Sequence, residues 1–282
     1  MNTNNQQILI MKKHLLLLIA LCFLFSFHLS SAKVDTVYTF SKSMNKEIPA
    51  VVITPDAYNG ETKFPVMYLL HGHSGNYATW VKSVDVKSVA DKHQFIIVCP
   101  DGNYSSWYFD SSMDSTSRYE TYVANELVAW IDNEYSTIPN RESRAISGLS
   151  MGGHGALYLA FRHQDVFGAC GSMSGGVDIR PFPNNWGMKE HLGEQRSHPE
   201  NWEKHTIINM LHLLTPDTLQ ITIDCGIDDF FYDVNMRLHD ELLYRNIPHT
   251  FISRPGAHNW DFWKTSVKYH SMFFADYFNK TI

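Results

Sequence analysis

The stretch Arg144-Ala145-Ile146-Ser147-Gly148-Leu149-Ser150-Met151-Gly152-Gly153-His154-Gly155-Ala156 constrains this chain more than any other. Its centre, Gly148-x-Ser150-x-Gly152, reads as a serine set on a sharp strand-to-helix turn. A short apolar segment ends at Leu149, and small residues then open a helical pattern. Glycines at 148 and 152 carry no Cβ, so backbones can pass closely and the serine Oγ can stand clear of the sheet. A helix starting at Met151 would aim its free N–H groups and the positive end of its dipole at a developing oxyanion. Gly-x-Ser-x-Gly is common on its own, and a small-residue turn needs no chemistry. The apolar strand before it and the helical pattern after it are the context that a nucleophile requires.

At 282 residues the chain is long enough for one large α/β core or at most two small ones. With 44% hydrophobic and 18% charged residues it lies in the globular range, which argues against a disordered chain. Its beginning reads as a processing segment. Lys12 and Lys13 form a basic n-region, Leu15 to Phe27 an apolar h-region and Ser30-Ser31-Ala32 a cleavage site, so residues 1–32 are expected to be a signal peptide. Met11 serves equally well as the start of that signal. The apolar run is short for a membrane span and lacks stop-transfer flanks. Cys22 follows Leu21 and not a small residue, which argues against lipidation. Residues 33–282 are expected to form one exported domain, periplasmic or extracellular, without a membrane span.

The signal segment holds two lysines and no acid, so its removal takes the formal charge from −6 to −8. An acidic product with no basic run is a poor nucleic-acid binder. Cys99, Cys170 and Cys225 remain, each beside an apolar run. An odd number in strand-like sequence reads as buried thiols and not as a disulfide frame or metal site.

The rest of the chain alternates. Val34–Phe40 and Ile48–Thr54 suggest a hairpin at a sheet edge, and Phe64–Leu70 and Gln94–Cys99 read as buried strands. Thr116–Tyr135 has helical periodicity, with Tyr119, Tyr122, Val123, Leu127, Trp130 and Ile131 on one side. After the serine turn come a helix (Met151–His163), a strand (Phe167–Met173) and an irregular stretch, 174–200, that is either a cover over substrate or a surface loop. A strand at Leu219–Cys225, a helix at Asp233–Arg245, a strand at His249–Arg254 and a helix at Trp260–Phe278 close the chain. This order predicts an α/β fold with a mostly parallel sheet covered on both faces.

A serine nucleophile needs a base, and the base needs a carboxylate to orient it. The strand at Leu219–Cys225 leads into Gly226-Ile227-Asp228-Asp229, and the next strand into Arg254-Pro255-Gly256-Ala257-His258. Both loops fall at the strand edge where Ser150 lies, in the chain order serine, acid, histidine. His258 is therefore the candidate base, with Asp228 or Asp229 as its partner. His249 falls at the opposite edge, and His163, His239 and His270 lie in helices as surface or packing residues. His154 can line the site but lies too close to Ser150 to turn back as its base. His71-Gly72-His73 resembles a metal pair without further ligands. Its better role is a turn that offers the His73 backbone N–H to the oxyanion, beside that of Met151.

Leu69-Leu70-His71-Gly72-His73-Ser74-Gly75 with Trp80, Pro100-Asp101-Gly102, Tyr119-Glu120-Thr121-Tyr122, Gly148-Leu149-Ser150-Met151-Gly152-Gly153 and Cys225-Gly226-Ile227-Asp228-Asp229 together resemble the esterase D family. That group contains S-formylglutathione hydrolases, feruloyl and acetylxylan esterases, and the mycolyltransferases of antigen 85. The resemblance covers nearly all of residues 33–282. It implies an α/β-hydrolase fold and a Ser–His–Asp site without metal or cofactor. In the family pattern the acid stands three residues after the glycine, which selects Asp229, and the histidine matches His258. The first oxyanion donor matches His73.

These observations imply a secreted serine carboxylester hydrolase that acts through an acyl-enzyme on small-molecule or oligosaccharide esters. Export argues against S-formylglutathione, a cytoplasmic substrate, and exported members of the group commonly release ferulate or acetate from plant polysaccharides. Trp107, Trp186 and Trp260 are candidate substrate-lining residues, with Tyr108, Met188 and Trp263 close to them in sequence. The alternatives are acyl transfer of the mycolyltransferase type, a general short-chain esterase, and a catalytically silent binding protein. An intact serine, acid and histidine argue against the last.

Overall fold

The computed structural model describes residues 33–281, so the signal segment expected over residues 1–32 lies outside the described residues. The described chain builds an eight-stranded sheet in the order β1-β2-β4-β3-β5-β6-β7-β8. Its strands are β1 (Lys33–Ser41), β2 (Lys46–Thr54), β3 (Val66–Leu70), β4 (Ile96–Pro100), β5 (Arg144–Leu149), β6 (Ala169–Met173), β7 (Gln220–Gly226) and β8 (Thr250–Arg254). The β1–β2 and β2–β4 pairs are antiparallel and all the others parallel. Every residue of β3, β4, β5 and β6 is buried, as strands covered on both faces must be. The hairpin forms the edge, where Val34, Thr36, Tyr38 and Phe40 alternate outward.

The helices are α1 (Thr79–Ser83), α2 (Val86–His93), α3 (Val128–Glu134), α4 (Met151–Arg162), α5 (Met188–Leu192), α6 (Pro199–Lys204), α7 (Tyr232–Tyr244) and α8 (Trp260–Thr281). One core gathers Leu157 and Phe161 of α4 with Tyr68, Ile146 and Ile221 of the sheet. The other gathers Val86 and Ala90 of α2 and Val267 and Phe274 of α8 with Met67, Ile97 and Leu149. The sheet separates the two cores. No helix among the described residues is long and apolar enough to cross a membrane.

The helix expected over Thr116–Tyr135 starts later and is not uniform. The Asp114 carboxylate holds Thr116 N–H in a turn at 2.9 Å, and Tyr119 N–H bonds back to Phe109 O at 3.0 Å. The helix therefore begins at Tyr119, and its middle, Tyr122–Leu127, is π-helical before α3 takes over. In this segment Tyr122 Oη meets Thr39 Oγ1 at 2.6 Å, and Glu126 accepts from Ser41 Oγ at 2.6 Å. Anchors to a distant hairpin leave no mark on hydrophobic periodicity. The stretch 174–200 is neither a cover nor a surface loop as a whole. Residues 174–179 are buried, Met188 and Leu192 join the core, and Trp186 is its contribution to the cavity beside Ser150.

Candidate active site

Ser150 joins β5 to α4 with φ 55° and ψ −116°, a conformation that costs about 1–3 kcal/mol for a side-chain-bearing residue. The surrounding bonds enforce it. Ser150 N–H donates to Met173 O at 2.9 Å, and Ser150 O accepts from His154 N–H at 3.0 Å. A Cβ on Gly152 would lie 2.5 Å from His71 O and 2.6 Å from Leu70 O, and one on Gly148 would collide with the Gly152 carbonyl. Only glycines let the end of β3 approach the turn this closely.

The loops after β7 and β8 run side by side. Ile227 N–H donates to Arg254 O at 3.1 Å and Asp228 N–H to Gly256 O at 2.9 Å. This zipper leaves Asp228 exposed and turns Asp229 inward, where its side chain is fully buried and accepts from Phe231 N–H at 2.8 Å. His258 Nδ1 lies 2.8 Å from Asp229 Oδ2, and His258 Nε2 lies 2.9 Å from Ser150 Oγ. An ionised carboxylate only accepts, so Nδ1 carries the proton and Nε2 is the acceptor that faces the serine hydroxyl.

The turn after β3 is held by its flanks. Ser74 N–H donates to Tyr104 O at 2.8 Å and Gly75 N–H to Gly72 O at 3.0 Å. Just before them, His73 N–H has no acceptor among the described residues, and the Met151 N–H, in the first turn of α4, has no intrahelical partner. Both residues adjoin the turn at Ser150. The His71 ring is committed elsewhere: its Nδ1–H donates to Gly72 O and its Nε2 accepts from Gly102 N–H, each at 2.8 Å. With both nitrogens engaged, His71 braces the loop and has no free donor for a metal. The described residues hold no group of three or more His, Cys, Asp or Glu arranged around a common point for a metal ion.

Ser150 opens into a cavity of about 510 Å³ whose aromatic lining is Trp186, Phe230, Trp260 and Trp263, beside His73 and His258. Trp107, expected to line it, does not. Its left-handed backbone, φ 53°, turns the ring into the core, where it is 1% exposed and donates Nε1–H to Trp186 O at 3.0 Å. It supports the Trp186 segment from beneath. Tyr108 is likewise buried and donates its hydroxyl to His71 O. His154 also leaves the site: it is fully buried, its Nδ1–H donates to Gly176 O, and burial pulls its pKa down to about 4. Phe230, by contrast, lines the cavity without having been expected there. It is 54% exposed, its ring stacks on Trp186 at 5.6 Å, and it sits 4.2 Å from the His258 ring. Its only signal in the sequence is an aromatic directly after the candidate acid.

A second set of the same three residue types lies sealed beneath the first. Ser147 Oγ and His270 Nδ1 are 2.8 Å apart, and His270 Nε2 is 3.7 Å from Asp224 Oδ1. All three side chains are fully buried. Burial, and then Arg254, pull the His270 pKa down to about 3. Burial pushes Asp224 up to about 6, with Ser266 and Arg254 offsetting part of that rise. Cys99, Cys170 and Cys225 are all buried free thiols, and burial raises each of them.

Comparison with known proteins gives a consistent set of relatives. Residues 41–272 match the model of the Esterase family. A ferulic acid esterase of known structure is 31% identical with a TM-score of 0.76, over 88% of this chain and 99% of that one. The acetyl esterase of Caldicellulosiruptor saccharolyticus is 24% identical over 252 residues, 81% of this chain and 92% of that protein. The S-formylglutathione hydrolase of Bos taurus is 27% identical over 255 residues, 82% of this chain and 88% of that protein. With these neighbours, the mostly parallel eight-stranded sheet is the α/β-hydrolase fold.

Proposed function

The chain belongs to the Esterase family, and from that premise we propose that it is a serine carboxylester hydrolase working through an acyl-enzyme. The observation that carries this reading is the continuous line from Ser150 Oγ through both nitrogens of His258 to the Asp229 carboxylate. Ser150 Oγ attacks the ester carbonyl as His258 Nε2 takes its proton. The carbonyl oxygen becomes an oxyanion held by the N–H groups of His73 and Met151. Asp229 keeps the imidazole oriented and stabilises the imidazolium. As the tetrahedral adduct collapses, the imidazolium returns the proton to the departing alcohol. Water then repeats the attack on the acyl-serine, and Oγ leaves with the second proton. Losing one oxyanion donor typically costs about 10²–10³ in turnover.

The substrate we assign is a feruloyl or acetyl ester derived from plant polysaccharide. Support comes from the aromatic lining of the cavity and from the likeness to a ferulic acid esterase and an acetyl esterase. The segment around Lys12, Lys13, Leu15–Phe27 and Ser30-Ser31-Ala32 supports export, and with it residues 33–282 as the mature enzyme. The test is a hydrolysis panel of methyl ferulate, acetylated xylan, short p-nitrophenyl esters and S-formylglutathione, with intact-mass detection of acyl-Ser150. Turnover led by ferulate or acetylated xylan is expected. S-formylglutathione as much the best substrate would overturn the substrate assignment, and acyl transfer to a sugar in place of water would reassign the reaction.

A further inference from the structure

Resting on the ester-hydrolase reading, we propose that the groove between α2 and α8 binds the alcohol half of the substrate, and that this half is an acidic saccharide bearing uronate carboxylates. The groove holds about 490 Å³, and its lining includes Ser83, Asp85, Ser88, Lys92, His93, Lys264 and Lys268. It lies along two helices that also line the cavity beside Ser150. Thr79 and Trp260 line that cavity, and Ser83 and Lys264, each four residues further along α1 and α8, line the groove. Four residues of helix span about 6 Å, so Lys264 and Lys268 stand about 6 and 12 Å along α8 from Trp260. That is the reach of a short oligosaccharide and not of a simple alkyl alcohol.

The charge in the groove runs against that of the chain, which is −6 overall. Among the described residues, Lys92 and Lys268 have no carboxylate within 4.0 Å, and Lys264 has only Asp261, at 4.0 Å and itself 96% exposed. Asp85 is occupied as the N-cap of α2, where it accepts from Ser88 N–H at 3.2 Å and Ser88 Oγ at 2.5 Å. His93 stacks on Phe95, and burial together with Lys92 lowers its pKa against the opposing pull of Asp276. Lys92, Lys264 and Lys268 supply the cationic charge. Three lysines against the one carboxylate of Asp85 leave the cleft net cationic, which draws counter-charges in, and flexible ammonium stems accept carboxylates without demanding one geometry. The Ser83 hydroxyl can serve the sugar's hydroxyls, and Ser88 Oγ, whose proton goes to Asp85, can still accept from one.

The thiol half of S-formylglutathione also carries carboxylates, so the experiment keeps two anionic arms apart. kcat/KM is measured for feruloyl esters of a neutral xylo-oligosaccharide and of a uronate-bearing one, and for S-formylglutathione, with wild type and the K264E/K268E variant. Wild type is expected to prefer the acidic ester over the neutral one by about tenfold at low salt. That ratio should fall towards one in about 0.5 M NaCl and in the double variant. Equal kcat/KM on both saccharide esters, or a preference that the variant retains, overturns the proposal. A salt-sensitive preference confined to S-formylglutathione overturns the saccharide assignment. Titration of Ser150→Ala protein with the unesterified acidic oligosaccharide reads the groove without any chemistry. Charge-selective binding there, with no ester turned over by wild type, would bring down the hydrolase reading and leave the groove. Absent binding, with esters turned over, would do the reverse.

Discussion

Ser150–His258–Asp229, the proposed catalytic set, and Ser147–His270–Asp224 use the same three residue types within one molecule in different settings. In the first set the serine stands on a strained turn at the strand edge, and the hydrogen bonds run 2.9 and 2.8 Å. In the second the serine lies inside β5, and the histidine is reversed. His270 meets serine with Nδ1 and faces the carboxylate with Nε2 across 3.7 Å. His270 is neutral at ordinary pH, so that approach is not an ion pair. The sealed set is fully buried, which leaves an ester no access to it. Residue types propose a site, but edge placement, nitrogen order and access decide it.

Replacing each serine by alanine gives the sharpest contrast. Ser150→Ala should keep the fold and lose turnover by about 10⁴–10⁶, since members of such a set act as a unit. Ser147→Ala should keep kcat within about tenfold, equivalent to about 1.4 kcal/mol in the barrier. Its effect belongs in stability, about 1–3 kcal/mol by urea unfolding, because buried His270 loses its hydroxyl partner. Near-normal ester turnover by a folded Ser150→Ala protein would end the mechanism.

The adjacent carboxylates divide the same way over a shorter distance. Asp229→Asn keeps shape but favours the wrong histidine tautomer, a loss of about 10⁴ in kcat in a comparable set. Asp228→Asn, on the exposed side of the loop, should stay within about tenfold of wild type. The reverse ranking would move the orienting acid one residue back.

The sealed carboxylate can be read through pH. Asp224 is raised from 3.8 to about 6, so the folded state binds its proton more tightly than the unfolded state does. Its contribution is fully present below pH ~4 and is lost as pH rises towards 6, on the order of 3 kcal/mol as an upper bound. Glu120 is the opposite case. Burial raises it, but hydrogen bonds from His163, Arg162 and Tyr158 outweigh burial and bring it from 4.5 down to about 2. Its contribution is present above about pH 4.5 and is lost as pH falls towards 2. Urea unfolding of Asp224→Asn against wild type at pH 4 and pH 7 checks the first sign: the variant should gain relative to wild type on going to pH 7. Glu120→Gln should lose least relative to wild type in acid. A pH-independent difference in either case would show that the carboxylate does not couple folding to protonation.

What was legible in the sequence follows the range of the constraint. The serine turn could be read because its glycines answer steric demands within a few residues and one neighbouring strand. The parallel sheet could be read from runs of buried residues, and the meeting of residues 229 and 258 at one edge from the order of strand ends. Trp107 could not be placed, because one left-handed φ reverses its ring and nothing in the local pattern encodes that. The partnership of Ser147 and His270 spans 123 positions and depends on Gly171 leaving room for the imidazole. The π-helical segment is tied by side-chain hydrogen bonds to Thr39 and Ser41 in the hairpin. Long-range side-chain anchoring is what a single sequence hides.

The smallest expected effect concerns the aromatic wall beside the proposed catalytic set. Phe230 stacks on Trp186 with an interplanar angle of 17°, and its ring is tilted by 40° against His258 at 4.2 Å. It therefore has two candidate duties, to hold an aryl acyl group and to hold the histidine. Aromatic pairs contribute about 0.5–1.5 kcal/mol beyond their area, so removing the ring in Phe230→Ala should lower kcat/KM on methyl ferulate by about 2–10-fold. The loss should fall mainly on KM, because a wall that touches substrate and transition state alike contributes uniform binding. An ester with neither aryl acyl nor aryl alcohol, such as ethyl acetate, should change by less than about twofold. Trp186→Ala should follow the same pattern, since the two rings form one surface. If instead kcat falls equally on methyl ferulate and ethyl acetate, the ring's duty is to position His258, and the wall ceases to be an argument for an aryl substrate.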